Sequence, residues 1–124
     1  DGLSLWLRAD TGVTAVSGSV TDWADQSGKG NDASQPVVAD RPALVSNAIN
    51  GKPVVRFTGS ETDFLSVADH PSLDGAQISL VAVAKRATGT GTVMVAEKGN
   101  SSTGYSLRYA NATAASMVVN SGTT

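Results

Sequence analysis

Oxygen-bearing side chains cluster in one glycine-rich stretch of the sequence, residues 22–32. It contains Asp22, Asp25, Asn31 and Asp32. Calcium takes about six to eight oxygen ligands from carboxylates, amides and backbone carbonyls, and a loop of this composition supplies them. The same side chains also close turns by accepting hydrogen bonds from nearby backbone amides. The stretch therefore predicts a structural calcium site at these four residues or, alternatively, a loop that is closed by its own side chains.

Two tyrosines near the C-terminus form a candidate ligand-binding site. Tyr105 and Tyr109 are spaced to share one face of a strand, and Arg108 points to the opposite face. Sugar C–H faces pack on aromatic rings, so an exposed tyrosine pair with polar neighbours is suited to bind a glycan. The alternative is that both rings fill the core between two sheets. The sequence therefore predicts ligand binding at Tyr105, Arg108 and Tyr109, with core packing as the competing interpretation.

Side chains that perform acid–base or nucleophilic catalysis are sparse in this chain. There is no cysteine, which excludes disulfides, thiolate catalysis and cysteine-based zinc sites. His70 is the only histidine, and no G-x-S-x-G sequence supplies the serine that a Ser-His-Asp relay requires. These observations predict that the chain is not an enzyme by itself.

The elements that must position these residues are strands. Apolar and polar residues alternate at 3–9, where Leu3, Leu5 and Leu7 share one face. The most apolar segment, 78–85, predicts a central strand that is covered on both faces. Strands are predicted at 3–9, 13–20 (weakened by Gly18), 53–57, 64–68, 78–85, 92–97, 105–109 and 116–120.

Turn signals and aromatic residues complete the pattern. Asn50-Gly51 predicts a tight turn, because both residues tolerate positive φ. Phe57 and Phe64 are predicted to lie in the core, and Trp6 and Trp23 to have structural roles. Roughly seven or eight short strands without a helix indicate an all-β sandwich or barrel. Periodicity alone leaves an immunoglobulin-like sandwich, a jelly roll and a barrel open.

Three stretches of the sequence carry a family resemblance. Leu-Trp-Leu-Arg-Ala-Asp at 5–10 is followed by Trp-Ala-Asp-Gln-Ser-Gly-Lys-Gly-Asn-Asp-Ala at 23–33 and by Asn-Gly-Lys-Pro-Val-Val-Arg-Phe at 50–57. This succession resembles the laminin-G-like (LamG) domains of the concanavalin A-like lectin and glucanase superfamily, which are common in secreted bacterial proteins. The resemblance covers about residues 3–85. It implies a jelly-roll β-sandwich of two antiparallel sheets, often with structural calcium.

The resemblance also implies an extracellular role, secreted or at the cell surface, in carbohydrate binding or adhesion. One glycosidase family on this fold carries E-x-D-x-x-E on a strand. Here Glu61 and Asp63 match the first two acids, but Ser66 replaces the second catalytic glutamate. We therefore expect a non-catalytic module for a glycan or another cell-surface ligand. The alternatives are a structural or assembly module of a surface layer, appendage or phage particle, and an accessory part of a glycan-active hydrolase or lyase.

Charge and hydropathy exclude two classes of partner. The formal net charge is −2, and Lys85-Arg86 is the only adjacent basic pair, so a nucleic-acid-binding patch is not expected. No apolar run approaches the roughly 20 residues of a membrane-spanning helix. The length predicts one domain over residues 1–124. Because laminin-G-like domains typically run longer, we expect this domain to be incomplete at its C-terminus or to be completed by a further segment or chain.

Overall fold

The computed structural model describes residues 2–58, 62–75, 77–87, 91–99, 104–110 and 115–120. The chain divides into two compact units, Asp1–Ala76 and Gln77–Thr124. Each unit contains one antiparallel sheet. The helices among the described residues are two short 3-10 turns, Val38–Asp40 and Pro71–Leu73, and none of them could cross a membrane. The predicted all-β, antiparallel, two-sheet class is confirmed, whereas the single domain over 1–124 stays a prediction.

The sheet of the first unit has six strands, in the order β5-β4-β2-β3-β6, with β1 paired to β2. Its strands are β1 (Val13–Val16), β2 (Ser19–Trp23), β3 (Ala33–Ser34), β4 (Ala43–Ile49), β5 (Lys52–Arg56) and β6 (Ser66–Val67). The predictions at 53–57 and 64–68 correspond to β5 and to the short β6. β4 was not predicted, because its sequence has no period-two alternation.

Two tight hairpins organise this sheet. Asn50 and Gly51 have φ values of 49° and 75° between β4 and β5, so the predicted turn is confirmed. Ser17 and Gly18, with φ values of 52° and 84°, form the equivalent turn between β1 and β2. Positive φ at both central residues is the pattern of the hairpin turn that matches strand twist. The predicted single strand at 13–20 is therefore a hairpin, and Gly18 is its turn.

The core of the first unit is small and lies around β2. Val20 is fully buried and donates a 2.8 Å backbone hydrogen bond to buried Pro42, and Ala33 packs as the buried residue of β3. The prediction that Phe57 and Phe64 lie in the core is wrong, since they are 49% and 48% exposed. Both residues lie just outside the strands, after the end of β5 and before the start of β6, where the pleat no longer directs a side chain inwards.

The second unit contains a three-stranded sheet in the order β7-β8-β9, formed by Val93–Gly99, Gly104–Tyr109 and Ala115–Asn120. The three strands predicted at 92–97, 105–109 and 116–120 are thereby confirmed. The covered central strand predicted at 78–85 is wrong: the segment forms no strand, Val81 is 94% exposed and Val83 is fully exposed. β-branched residues favour a strand, but a ladder also requires a partner backbone.

Candidate functional site

The Asp25 carboxylate is the centre of the loop between β2 and β3. Its Oδ1 accepts hydrogen bonds from the backbone N–H groups of Trp6 (2.8 Å) and Ser27 (2.9 Å). Its Oδ2 accepts from the Ser27 hydroxyl (2.6 Å) and the Asn31 N–H (3.1 Å). Partial burial by itself would raise the pKa of Asp25, but hydrogen bonds from Ser27, Trp6 and Asn31 outweigh it and hold the pKa below its usual value.

Asn31 and Asp32 complete the closure of this loop. Asp32 Oδ1 accepts a 2.7 Å hydrogen bond from the Asp25 N–H. The Asn31 side chain is buried and donates to the Ser4 carbonyl (2.6 Å) and to the Ser72 hydroxyl (2.8 Å). The loop therefore ties together three parts of the first unit that are far apart in sequence.

The donors around Asp25 bear directly on the predicted calcium site. Both Asp25 oxygens already accept N–H or O–H groups, which a cation would have to displace. Asp22 is exposed on β2, where it pairs with Thr14 and Ser34 along the ladder. Within the described ranges, no three acidic or histidine side chains are grouped as a metal site would require. The arrangement fits loop closure rather than calcium, and calcium at Asp22, Asp25, Asn31 and Asp32 stays a prediction.

The same loop holds the N-terminal segment in place. The strand predicted at 3–9 is wrong, since the described residues pair there only in an isolated bridge between Arg8 and Thr11. Instead, Trp6 donates its N–H to Asp25 and accepts a 2.8 Å hydrogen bond from the Gln26 N–H at its carbonyl. The Trp23 indole N–H donates to the Arg8 carbonyl at 2.8 Å. Side chains and loop amides thus replace the missing ladder, and we call this set of hydrogen bonds the loop clamp.

The loop clamp leaves one aromatic ring on the surface. Trp6 is 44% exposed, and the Arg8 guanidinium carbon lies 5.4 Å from the centre of its ring. Arg8 donates from Nε and Nη2 to the two Asp10 carboxylate oxygens at 3.1 and 3.2 Å. Lys52 Nζ lies 3.3 Å from Asp10 Oδ2. We call these four residues the Trp6 surface.

Asp10 pairs with both positive charges of the Trp6 surface. The hydrogen bond from Arg8, followed by that from Lys52, holds the pKa of Asp10 below its usual value, so the carboxylate stays ionised. Sequence reasoning assigned Trp6 a structural role and missed this surface. The available signal was that Trp6 and Arg8 alternate with the leucines of 3–9 and so share the polar face of that segment.

The predicted tyrosine site lies on β8, the middle strand of the second unit. Tyr105 and Tyr109 share one face with Leu107, and Arg108 lies on the other face, as expected. All four side chains are half-buried. The Tyr109 hydroxyl donates a 2.9 Å hydrogen bond to the Ala84 carbonyl, so this ring is tied to the unpaired apolar segment.

A concave space of about 290 Å³ lies beside Tyr109. Its lining residues are Leu80, Val81, Ala82, Ala84, Val95, Leu107, Arg108 and Tyr109. The lining is largely apolar, whereas a sugar site needs several converging polar groups. Across the ladder from Ser116, Arg108 has a buried Nε to which the described residues offer no hydrogen-bond partner. Ligand binding at Tyr105, Arg108 and Tyr109 stays a prediction.

The candidate catalytic residues are placed as follows. Glu61 lies outside the described residues. Asp63 accepts a 2.8 Å hydrogen bond from the Thr58 N–H, as expected of a turn residue. His70 is exposed, and its Nδ1 lies 2.7 Å from the Ser72 hydroxyl in the turn that contacts Asn31. These contacts give Asp63 and His70 local roles in closing turns.

Comparison with known proteins adds no assignment. No family model matches the sequence, and no curated protein or solved structure matches it either. The geometry of the Trp6 surface and of the β8 tyrosines is therefore what bears on function.

Proposed function

We propose that this chain is a non-catalytic extracellular module that binds carbohydrate, in adhesion or targeting. The concanavalin A-like jelly-roll sandwich suggested by its LamG-like motifs is part of the proposal. The observation that carries it is that Trp6 is 44% exposed while hydrogen bonds fix both its backbone N–H and its carbonyl.

An exposed indole ring on a hydrogen-bonded backbone is suited to sugar recognition for two physical reasons. Its apolar face can pack against the C–H face of a pyranose. Because the loop clamp already orders the backbone of Trp6, little further conformational entropy is lost on binding. The Arg8 guanidinium carbon lies 5.4 Å from the centre of the ring, and the Arg8 N–H groups and the Asp10 carboxylate that they contact can bond to hydroxyl groups. The tyrosine face of β8 would be a second aromatic surface.

The test is a panel of soluble oligosaccharides titrated against the full chain, followed by the fluorescence of Trp6 and Trp23. Trp6→Ala should weaken binding about tenfold, since an aromatic anchor at the centre of a small interface carries much of the affinity. The matched control is Val16→Ala, which truncates an apolar residue of β1 that is 59% exposed. Equal affinity of the two variants, or no binding by the unmodified chain, would contradict the proposal.

One observation favours a second candidate, the structural or assembly module. Val81 and Val83 expose apolar side chains on a segment that forms no strand. Contiguous exposed apolar surface commonly marks a protein–protein contact. If this candidate is correct, sedimentation analysis should show concentration-dependent association of the chain, and Val81→Ser with Val83→Ser should abolish it. A monomer at all concentrations would leave carbohydrate binding as the better candidate.

A further inference from the structure

We propose that Asn50 is a site of spontaneous deamidation, in which its side-chain amide is lost through a cyclic imide formed with the Gly51 nitrogen. This inference is independent of the proposed function, because it concerns a covalent change in the β4–β5 hairpin. Asn50 is the one asparagine of the sequence that is followed by glycine. Asparagine is among the thermally labile residues of proteins, and a following glycine leaves the attacking nitrogen unobstructed because it has no Cβ.

The reaction requires water as its only co-reactant. The backbone nitrogen of Gly51 forms a bond to Cγ of Asn50, and the side-chain nitrogen leaves as ammonia together with the Gly51 N–H proton. Water then opens the five-membered imide. Attack of water at Cγ gives aspartate, and attack at the former backbone carbonyl gives isoaspartate, in which the main chain runs through the side chain. No group is oxidised or reduced.

The hairpin exposes the reacting groups. Asn50 and Gly51 are both exposed, and their φ values are 49° and 75° in the two-residue turn. The ladder closes at the pair formed by Ile49 and Lys52, so neither turn residue is paired across the sheet. A Cβ added at Gly51 would have no atom within 4 Å apart from those of its chain neighbours. The space around Gly51 therefore leaves room for its peptide to rotate towards Asn50 Cγ.

Two other asparagines show what protects a side-chain amide in this chain. Asn31 is 3% exposed, and its side-chain nitrogen donates to the Ser4 carbonyl and the Ser72 hydroxyl, so its amide is held in place. Asn47 is exposed and has a positive φ of 51°, but Ala48 follows it. Asn47 therefore isolates the effect of the following residue, and Asn31 isolates the effect of burial and hydrogen bonding.

The isoaspartate product would alter the turn on which the hairpin depends. Isoaspartate adds a methylene carbon to the main chain, whereas the register pairs Ile49 with Lys52 across a two-residue turn. A lengthened turn no longer matches the twist of the flanking strands. Aspartate would keep the main chain and add only a negative charge. We therefore expect the isoaspartate form to loosen the β4–β5 hairpin and the aspartate form to leave it intact.

The experiment incubates the full chain in mildly alkaline, oxygen-labelled water and assigns each mass change to a residue by peptide fragmentation. We expect Asn50 to exchange NH₂ for labelled OH at least about tenfold faster than Asn47, with isoaspartate as the major product. Gly51→Ala should slow this reaction about tenfold, because a Cβ then obstructs the attacking nitrogen. The matched control is Gly18→Ala, which strains the equivalent position of the β1–β2 turn, where φ is 84° and the space is also open. It should leave the rate at Asn50 unchanged.

Hydrogen exchange of the separated products tests the consequence for the hairpin. The backbone amides of β4 and β5 should exchange several-fold faster in the isoaspartate form than in the unmodified chain, and those of β1 should not change. Equal exchange in both forms would refute the loosening of the hairpin. No mass change at Asn50, or an equal change at Asn47, would overturn the proposal itself. So would an equal rate in Gly51→Ala or aspartate as the sole product, because direct hydrolysis of the amide passes through no imide.

Discussion

Two segments of this chain have strand-like sequences and neither joins a sheet: residues 3–9 in the first unit and residues 78–85 in the second. The first is held by the loop clamp, in which Asp25, Gln26 and Trp23 bond to its backbone. The second shows no ladder and exposes Val81 and Val83. A polar loop nearby in space can take the place of a strand partner, whereas apolar composition alone does not give a segment a place in a sheet.

The largest loss of stability should follow from removing the Asp25 carboxylate at the centre of the loop clamp. Asp25→Ala removes the acceptor of four hydrogen bonds and leaves the Trp6 and Asn31 N–H groups unpaired. We expect the free energy of unfolding of the first unit to fall by about 2–3 kcal/mol, measured by denaturant titration of tryptophan fluorescence. The control is Asp22→Asn, a substitution at an exposed position of β2, which should alter the free energy of unfolding by less than about 0.5 kcal/mol. Similar losses in both variants would contradict the role of Asp25.

A smaller loss of stability should come from steric crowding beside the loop clamp. Gly12 has φ of 77°, and a Cβ there would lie 2.7 Å from Gln26 Nε2 and 3.0 Å from Ala24 Cβ. Gly28 has a similar φ of 82° with open space around it. Gly12→Ala should therefore be about 1 kcal/mol more destabilising than Gly28→Ala, which isolates the crowding from the backbone strain that both share. Equal losses would show that the clamp tolerates displacement of Gln26.

The pH dependence of stability tests the clamp without a change in side-chain volume. Because the folded state lowers the pKa of Asp25, its contribution is present above the unfolded pKa of about 3.9 and is lost as pH falls through the folded value. Unfolding free energy should therefore decline below about pH 4. Asp25→Asn should make that decline shallower. An unchanged acid profile in Asp25→Asn would place the responsible carboxylate elsewhere.

The unpaired segment of the second unit should respond much less to mutation. Val81→Ser changes a side chain that is 94% exposed, so we expect the free energy of unfolding to change by less than about 0.5 kcal/mol. Leu80→Ser, half-buried at the concave space beside Tyr109, is the comparison and should cost more. A large loss in Val81→Ser would mean that this side chain is covered in solution.

Added calcium should have the smallest effect on stability. The Asp25 oxygens are engaged by N–H and O–H donors, so we expect calcium or EGTA to leave the thermal unfolding midpoint unchanged within about 1 °C. A clear rise with calcium would restore the metal site at Asp22, Asp25, Asn31 and Asp32. The same titration with Asp25→Asn would then show whether the ion binds at this loop.

Much of the architecture follows from residues that are close in sequence. Asn50 and Gly51 tolerate the positive φ of a hairpin, so that turn could be placed from residue type alone. The alternation of Tyr105, Leu107 and Tyr109 located β8 and assigned Arg108 to the other face. The carboxylate-rich loop was likewise recognised, together with the possibility that its side chains close it.

The tertiary structure decided which of the strand-like segments pair in a sheet. Residues 3–9 and 78–85 have the propensity of strands, but pairing depends on backbone from distant parts of the chain, which local sequence does not specify. The same reason separates Trp6 from the core: its exposure follows from where Asp25 and Gln26 hold its backbone. Sequence by itself determined the β class, the Asn50-Gly51 turn and the composition of the carboxylate-rich loop, because these depend on local φ preferences and on side-chain donors and acceptors. Burial and pairing arise only when distant segments meet.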